Sequence, residues 1–180
     1  AQGLILEVDV AHQHPAQVGE ARHVPARGNG HELHEAVDDE QFFALLFNFI
    51  GHGSPDRLAA EGILATSDVP SMTNAGRLPV FLAMTCSAGN FAIPGFPSLS
   101  ESLVLWKSGG AYAAWAPSGL SLNDGARTMN EAFFQSAFQE GEKVVGRSCT
   151  RSLEALPPAG PYAFMKSIYN LIGEPVSRLP

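Results

Sequence analysis

His52 and Cys86, 34 positions apart (86 − 52 = 34), are the pair of residue types that nucleophilic acyl chemistry requires. A thiol attacks as its thiolate and needs a base or a positive neighbour to reach that state near neutral pH. An imidazole titrates in the right range to take the proton and later pass it to a leaving amine. Each residue follows a short apolar run: Phe42 to Ile50 ends in Gly51-His52-Gly53-Ser54-Pro55, and Leu78 to Thr85 ends in Cys86-Ser87-Ala88-Gly89. Such runs suit strands buried on both faces, and reactive groups in a parallel sheet collect beyond the strands' carboxyl ends. If the two runs are neighbours they lie about 4.8 Å apart, so side chains just past their ends can meet. Gly53 lets the backbone approach a substrate, and its N–H with that of Cys86 would stabilise an oxyanion by roughly 3 kcal/mol per donor. Taken singly, the cysteine reads more readily as a small hydrophobe and the histidine as a turn residue, so the further pattern decides.

The surrounding elements alternate. Leu4 to Val10 is a β-branched apolar run, and the stretch rich in His, Pro, Gly and Arg after it reads as loop through Gly30. His31 to Glu40 places Leu33 and Val37 on one face of a short helix. A polar connection with an apolar patch at Ile63 and Leu64 leads to the Leu78 strand. Ser98 and Glu101 form an S-x-x-E capping box, opening a helix with Leu99, Leu103 and Trp106 on its apolar face and a stop at Ser108-Gly109-Gly110. Ala111 to Ala116 is the next interior strand, turned out by Pro117-Ser118-Gly119, and Ser121 with Asp124 is expected to cap a helix carrying Ala126, Met129, Phe133 and Ala137. Val145, Cys149, Leu153 and Leu156 mark another helix before Pro157-Pro158, and Tyr162 to Leu171 reads as a last helix or strand. Strands alternating with helices predict an α/β fold with a largely parallel sheet.

The 180 residues make one domain the default, and 45% hydrophobic against 16% charged residues argues against a disordered chain. Eleven Lys and Arg face 18 Asp and Glu, a formal charge of −7 with no basic run, which argues against a nucleic-acid partner. No apolar stretch reaches the roughly 18 residues that span a bilayer. Two cysteines allow one bridge at most, or free thiols. The chain opens at Ala1 with neither an initiator Met nor a signal peptide, as a processed or trimmed piece of something larger would.

Further motifs stand in order around the pair. Phe49-Ile50-Gly51-His52-Gly53-Ser54, Met84-Thr85-Cys86-Ser87-Ala88-Gly89-Asn90-Phe91, Ser98 to Leu103, Gly109-Gly110-Ala111-Tyr112, Pro117-Ser118-Gly119-Leu120-Ser121, Met129-Asn130-Glu131 and Gly173-Glu174-Pro175 together resemble the gingipain family of cysteine peptidases, relatives of caspases. The resemblance runs from about Asp39 to Pro175 and implies a caspase-like three-layer α/β/α sandwich. It implies His52 as general base, Cys86 as nucleophile, Gly53 with Cys86 as oxyanion hole, and endopeptidase cleavage through a thioester. Protein or peptide substrates, an extracellular or cell-envelope setting and no required cofactor follow from the same likeness, with Ca²⁺ binding known in some relatives. The loop from Ala116 to Asn123 resembles the wall of the family's specificity pocket, which makes Ser118 and Ser121 the candidate substrate-binding residues, yet neither they nor Leu120 carries charge. Basic-residue selectivity is therefore not supported by this loop.

The likeness also has gaps. The family's upstream strand and loop supply an acid that orients the histidine, but only about fifty residues precede His52 here, and Glu7 and Asp9 are the candidates. Residues 1–180 are thus read as a single catalytic domain, either whole or lacking the upstream part of the full unit. In the latter case a larger parent chain or a partner chain would complete the sheet's uncovered edge. Two other readings stand beside the peptidase: a catalytically inactive caspase-like interaction or regulatory module, and a caspase-like domain of a helical-repeat sensor triggered by a partner. Retention of His52 and Cys86 disfavours the first, and the Pro117 and Gly173 motifs the second.

The remaining residues carry less. His12, His14, His23, His31 and His34 read as solvated rather than metal-binding, and Gly28-Asn29-Gly30 as a turn. Ser54 and Ser118 lie outside any G-x-S-x-G elbow. Trp106, Trp115, Phe133 and Phe134 have the spacing of core, and Cys149 that of an inert buried thiol.

Overall fold

The computed structural model describes residues 4–9, 22–23 and 44–179. The apolar runs become strands because adjacent strands satisfy their backbone polar groups while side chains fill both faces of the sheet. In chain order the strands are β1 (Leu4–Asp9), β2 (Arg22–His23), β3 (Ala44–Ile50), β4 (Gly53–Ser54), β5 (Arg57–Leu58), β6 (Leu64–Ala65), β7 (Val80–Met84), β8 (Ala113–Pro117) and β9 (Tyr169–Gly173). Among the described residues the α-helices are α1 (Leu99–Leu105), α2 (Asn123–Phe134), α3 (Val145–Glu154) and α4 (Met165–Ile168). One sheet runs in the order β2-β1-β3-β7-β8-β9, parallel throughout except for the antiparallel pair β8 and β9. The α/β class and the largely parallel sheet match the sequence pattern.

Alternation along the strands feeds two cores. Phe47, Phe49, Phe81, Ala83, Ala114 and Ala116 pack with Leu99 and Leu103 of α1 on one face. Leu46, Ile50, Val80, Leu82, Met84 and Trp115 pack with Met129 and Phe133 of α2 and Cys149 of α3 on the other. Helices therefore cover both sides of the sheet. Phe47 and Phe81, register partners on β3 and β7, stack with ring centroids 5.4 Å apart. Trp106, Trp115, Phe133 and Phe134 all join these cores, as expected.

Local chemistry explains where elements begin and end. Ser98 and Glu101 form the expected capping box: the Ser98 hydroxyl accepts from the Glu101 N–H at 3.3 Å, and the Glu101 carboxylate accepts from the Ser98 N–H at 2.8 Å. Helix α1 stops at Leu105, short of the glycine pair, because Trp106 turns extended and its indole donates to the Met72 carbonyl at 3.0 Å. Gly110 has a φ of 92°, and a Cβ there would collide with the Leu103 carbonyl. Buried Asn74 clamps that residue from both sides, accepting from its N–H at 2.7 Å and donating to its carbonyl at 3.0 Å.

Several expectations are corrected. The stretch that reads as loop through Gly30 contains the two-residue strand β2, which pairs with β1. The polar connection after His52 folds into a second, three-stranded antiparallel sheet, β4-β5-β6, whose two-residue strands are too short to show a period. Ser121 and Asp124 do not cap α2: Leu122 is the N-cap, without a side-chain bond, and the Ser121 hydroxyl is engaged elsewhere. Helix α2 ends in a π-helical turn, Gln135–Gln139. Tyr162 to Leu171 is both helix and strand, since α4 passes directly into β9. Cys86 and Cys149 are both free, so the arithmetically possible bridge is not made. Cys149 is buried, and burial pushes its thiol well above the ordinary range, in keeping with an inert role. The helix proposed over His31 to Glu40, the turn at Gly28-Asn29-Gly30, and His12, His14, His31 and His34 lie outside the described residues.

Two variants test this frame by urea denaturation. Ser98→Ala, which removes the cap, is expected to lower the unfolding free energy by about 1 kcal/mol. Asn74→Ala, which strips both bonds from the buried Gly110 backbone, is expected to cost about 2 kcal/mol. No loss in either would show that these contacts do not hold the α1 to β8 connection.

Candidate active site

Strands β3 and β7 pair in parallel with Ile50 opposite Met84, an offset of 84 − 50 = 34 that equals the spacing of His52 and Cys86. Both residues thus lie two positions past the same level of the sheet. The Gly51 N–H donates to the Met84 carbonyl at 3.3 Å, one step beyond the ladder, before the chains part. The next peptide turns into β4, and the His52 carbonyl accepts from the Ala59 N–H at 2.8 Å.

Gly53 is required by close approach. A Cβ there would collide with Thr85 Oγ1 and stand 3.0 Å from Thr85 Cγ2 and 3.3 Å from the Cys86 carbonyl oxygen. The start of β4 therefore lies flush against the end of β7. On the other side, Ser87 takes a left-handed φ of 55°, unusual without glycine, and turns the chain sharply after the cysteine. The turn is stitched to the last residue of β8 and the segment after it: Gly89 N–H donates to the Pro117 carbonyl and Ser87 N–H to the Gly119 carbonyl, both at 2.9 Å. The first turn of α1 ties the two loops together, because its free N–H groups find acceptors there. Leu99 N–H donates to the Pro55 carbonyl at 2.7 Å, and Ser100 N–H to the Ala88 carbonyl at 3.0 Å.

Between the loops opens a cleft of about 640 Å³ whose lining includes His52, Met84, Thr85, Cys86, Ser121, Leu122 and Ala126. Exposed His52 and half-buried Cys86 share it. Ala59, Ala60 and Glu61, from the turn between β5 and β6, form another part of the wall, and no pattern in the sequence marked them. Glu61 is the one carboxylate among the described lining residues. Asp56, also close in sequence to His52, is spoken for: it accepts from Ser54 at 2.6 Å and from Arg57 at 2.7 Å, and the guanidinium holds its carboxyl below the usual range. Glu7 and Asp9, the candidate orienting acids, lie on β1 in register with Asn48 and Ile50 of β3, so Asp9 stands level with the strand end that precedes His52.

The sulfur of Cys86 meets the Ser121 backbone, accepting from its N–H at 3.4 Å and facing its carbonyl at 3.6 Å. The Ser121 hydroxyl lies 2.9 Å from that of Tyr169. Tyr169 is buried, which pushes its phenol far above the ordinary range and keeps it protonated. Ser118 sits at the root of the loop, where its N–H and hydroxyl both donate to the Ile168 carbonyl, at 2.7 and 3.1 Å, and the hydroxyl accepts from Asn170 at 3.2 Å. Of the two candidate substrate-binding serines, Ser121 is in the cleft lining and Ser118 is not. The sequence did not single out Thr85 and Glu61, which line the cleft, or Tyr169, which the fold brings behind Ser121. Among the described residues no three His, Cys, Asp or Glu side chains gather as a metal site, so no residue set for Ca²⁺ is assigned there. No helix among them is long and apolar enough to cross a membrane.

Comparison with known proteins supplies the family. The chain is similar to the crystal structure of the Arg specific cysteine proteinase gingipain R (RgpB), with a TM-score of 0.71 at 20% identity, over 87% of this chain and 37% of that one. It is also similar to the complex of Porphyromonas gingivalis RgpB pro- and mature domains, with a TM-score of 0.76 at 15% identity, over 98% of this chain and 48% of that one. A third likeness, to a structure described only as a protease, has a TM-score of 0.58 at 17% identity, over 81% of this chain and 37% of that one. These likenesses show the caspase-like fold, and the chain spans less than half the length of each structure. No curated protein sequence matches it. The sequence profile described as Peptidase family C25 matches residues 16–180, nearly the whole chain and all of the cleft, so the chain belongs to peptidase family C25.

Proposed function

We propose that the chain is the catalytic core of a cysteine endopeptidase, with His52 and Cys86 as its dyad. The observation that carries this reading is the shared cleft: in a family C25 chain, an imidazole and a thiol stand past the ends of two register-paired strands and line one cavity. His52 takes the thiol proton, and the Cys86 sulfur attacks the scissile carbonyl carbon. The carbonyl oxygen, now negative, is met by the N–H groups of Gly53 and Cys86. Collapse of this intermediate breaks the C–N bond as His52 returns the proton to the leaving amine, leaving a thioester on Cys86. Water, deprotonated by His52, attacks the thioester, and the acid product leaves with the thiol restored. Ser121 contacts the bound peptide beside the sulfur, and Ser118 shapes the wall through its hold on residues 168–170. Protein substrates and an extracellular or cell-envelope setting belong to the same reading.

Cleavage of an unbiased peptide library, with cut sites read by mass spectrometry, tests it. Cys86→Ala and His52→Ala are each expected to lower turnover at least about a thousandfold while the chain stays folded. A folded parent chain that cuts nothing, or variants that cut as well as the parent, would refute the dyad. Gly53→Ala probes the backbone donor separately: the new methyl group must push β4 away from Thr85, and a displacement of that order is expected to lower kcat by about a hundredfold. An unchanged kcat in Gly53→Ala would remove Gly53 from the oxyanion hole.

A further inference from the structure

Sulfur chemistry in this cleft depends on which backbone group of Ser121 the thiol sees, its N–H or its carbonyl. Ser121 offers its N–H to the Cys86 sulfur at 3.4 Å and its carbonyl at 3.6 Å. An N–H aimed at sulfur favours the thiolate, whereas a carbonyl can only accept from the neutral S–H and so favours the thiol. A small rotation of this loop therefore changes the balance between reactive and unreactive sulfur. The neighbouring side chains do little to hold the loop, since Leu120 is 76% and Leu122 43% exposed. What ties Ser121 down through its side chain is the 2.9 Å contact between its hydroxyl and that of Tyr169.

Tyr169 is a rigid anchor. It is the first residue of β9, pairs in register with Pro117, is 4% exposed, and packs against Trp115 with ring centroids 5.6 Å apart. Serine and tyrosine are 48 residues apart (169 − 121 = 48), so the link is wholly tertiary. We propose that Tyr169 is a positioning residue which, through the Ser121 hydroxyl, holds the Ser121 N–H on the Cys86 sulfur and so sets the reactivity of that sulfur. This rests on the peptidase reading for its purpose, but not for its test. Because burial keeps the phenol protonated, the hydroxyl pair persists across the working pH range.

Alkylation of Cys86 by iodoacetamide in the full chain, followed against pH by the mass of the Cys86 peptide, reads the thiolate directly and leaves buried Cys149 out of the signal. Tyr169→Phe and Ser121→Ala are each expected to raise the pH midpoint of alkylation by about half a unit, a roughly threefold slower reaction below it. Ser121→Thr, which keeps a hydroxyl, is expected to restore the parent profile. The double variant Tyr169→Phe with Ser121→Ala should shift no further than either single one, because both cut the same link. If Tyr169→Phe fails to fold, Ser121→Ala decides, since its site is at the cleft surface and the tyrosine ring stays in place. An unmoved profile in folded Ser121→Ala, or shifts that add in the double variant, would overturn the proposal. No peptide is needed for this measurement. A shifted midpoint in a chain that cuts nothing would keep the Tyr169 role and remove the peptidase reading, while cleavage with an unmoved profile would do the reverse.

Discussion

The parallel register of β3 on β7 is the constraint on which the site depends. Side chains alternate across a strand, so a slip of one residue would move His52 along by about 3.3 Å and send the apolar set of β3 to the wrong face. The slip is opposed on both sides of the sheet at once. Phe47 stacks on Phe81 within one core, while Leu46 and Ile50 sit opposite Val80 and Met84 within the other. Full burial of each such side chain is worth about 1.5 to 3 kcal/mol, far more than any bond in the loops that follow. The strands therefore determine where the loops start, and the loops add only direction.

Direction comes from many modest bonds. A backbone hydrogen bond contributes about 0.5 to 1.5 kcal/mol net, so no one of them holds the cysteine turn. They act together because they converge. The first turn of α1 accepts no intrahelical partner for its N–H groups and takes carbonyls from both the histidine loop and the cysteine turn. The segment after β8 holds the cysteine turn from the opposite side and is itself held by Ile168 and Asn170. Small residues make this density possible. Gly53 lies against Thr85, and a Cβ on Gly89 would stand 3.1 Å from both the Cβ and the carbonyl oxygen of Ala116. The strained Ser87 is what such crowding produces where the chain must turn away at once.

This arrangement separates two tasks. Placement of the imidazole and the thiol is a property of the sheet, which is buried and stiff. The electrostatic setting of the sulfur belongs to an exposed loop moored through Ser121 to the far end of the chain. Changes to that loop can alter reactivity without disturbing the core, because Leu120 and Leu122 contribute little to either apolar cluster.

The amino-acid sequence by itself determined the elements that bury apolar side chains in a regular pattern. The runs before His52 and Cys86 were legible because burial on both faces makes a strand continuously apolar, the helices around Met129 and Cys149 because burial of one face imposes a period, and the Ser98 box because capping imposes a spacing. The dyad candidates were legible for a related reason: reactive residue types stood where strands had to end, among motifs ordered as in a known family. What is short or long-range was not legible. Strands of two residues carry no period, so β2 and the β4-β5-β6 sheet with its Glu61 turn went unseen. Ser121 looked like a helix cap because serine before an acid is a local signal, whereas its hydroxyl is claimed by Tyr169, a contact no local pattern can announce. Only the tertiary structure decided these partners, since a hydrogen bond between residues 48 apart exists only once the sheet has brought their strands together.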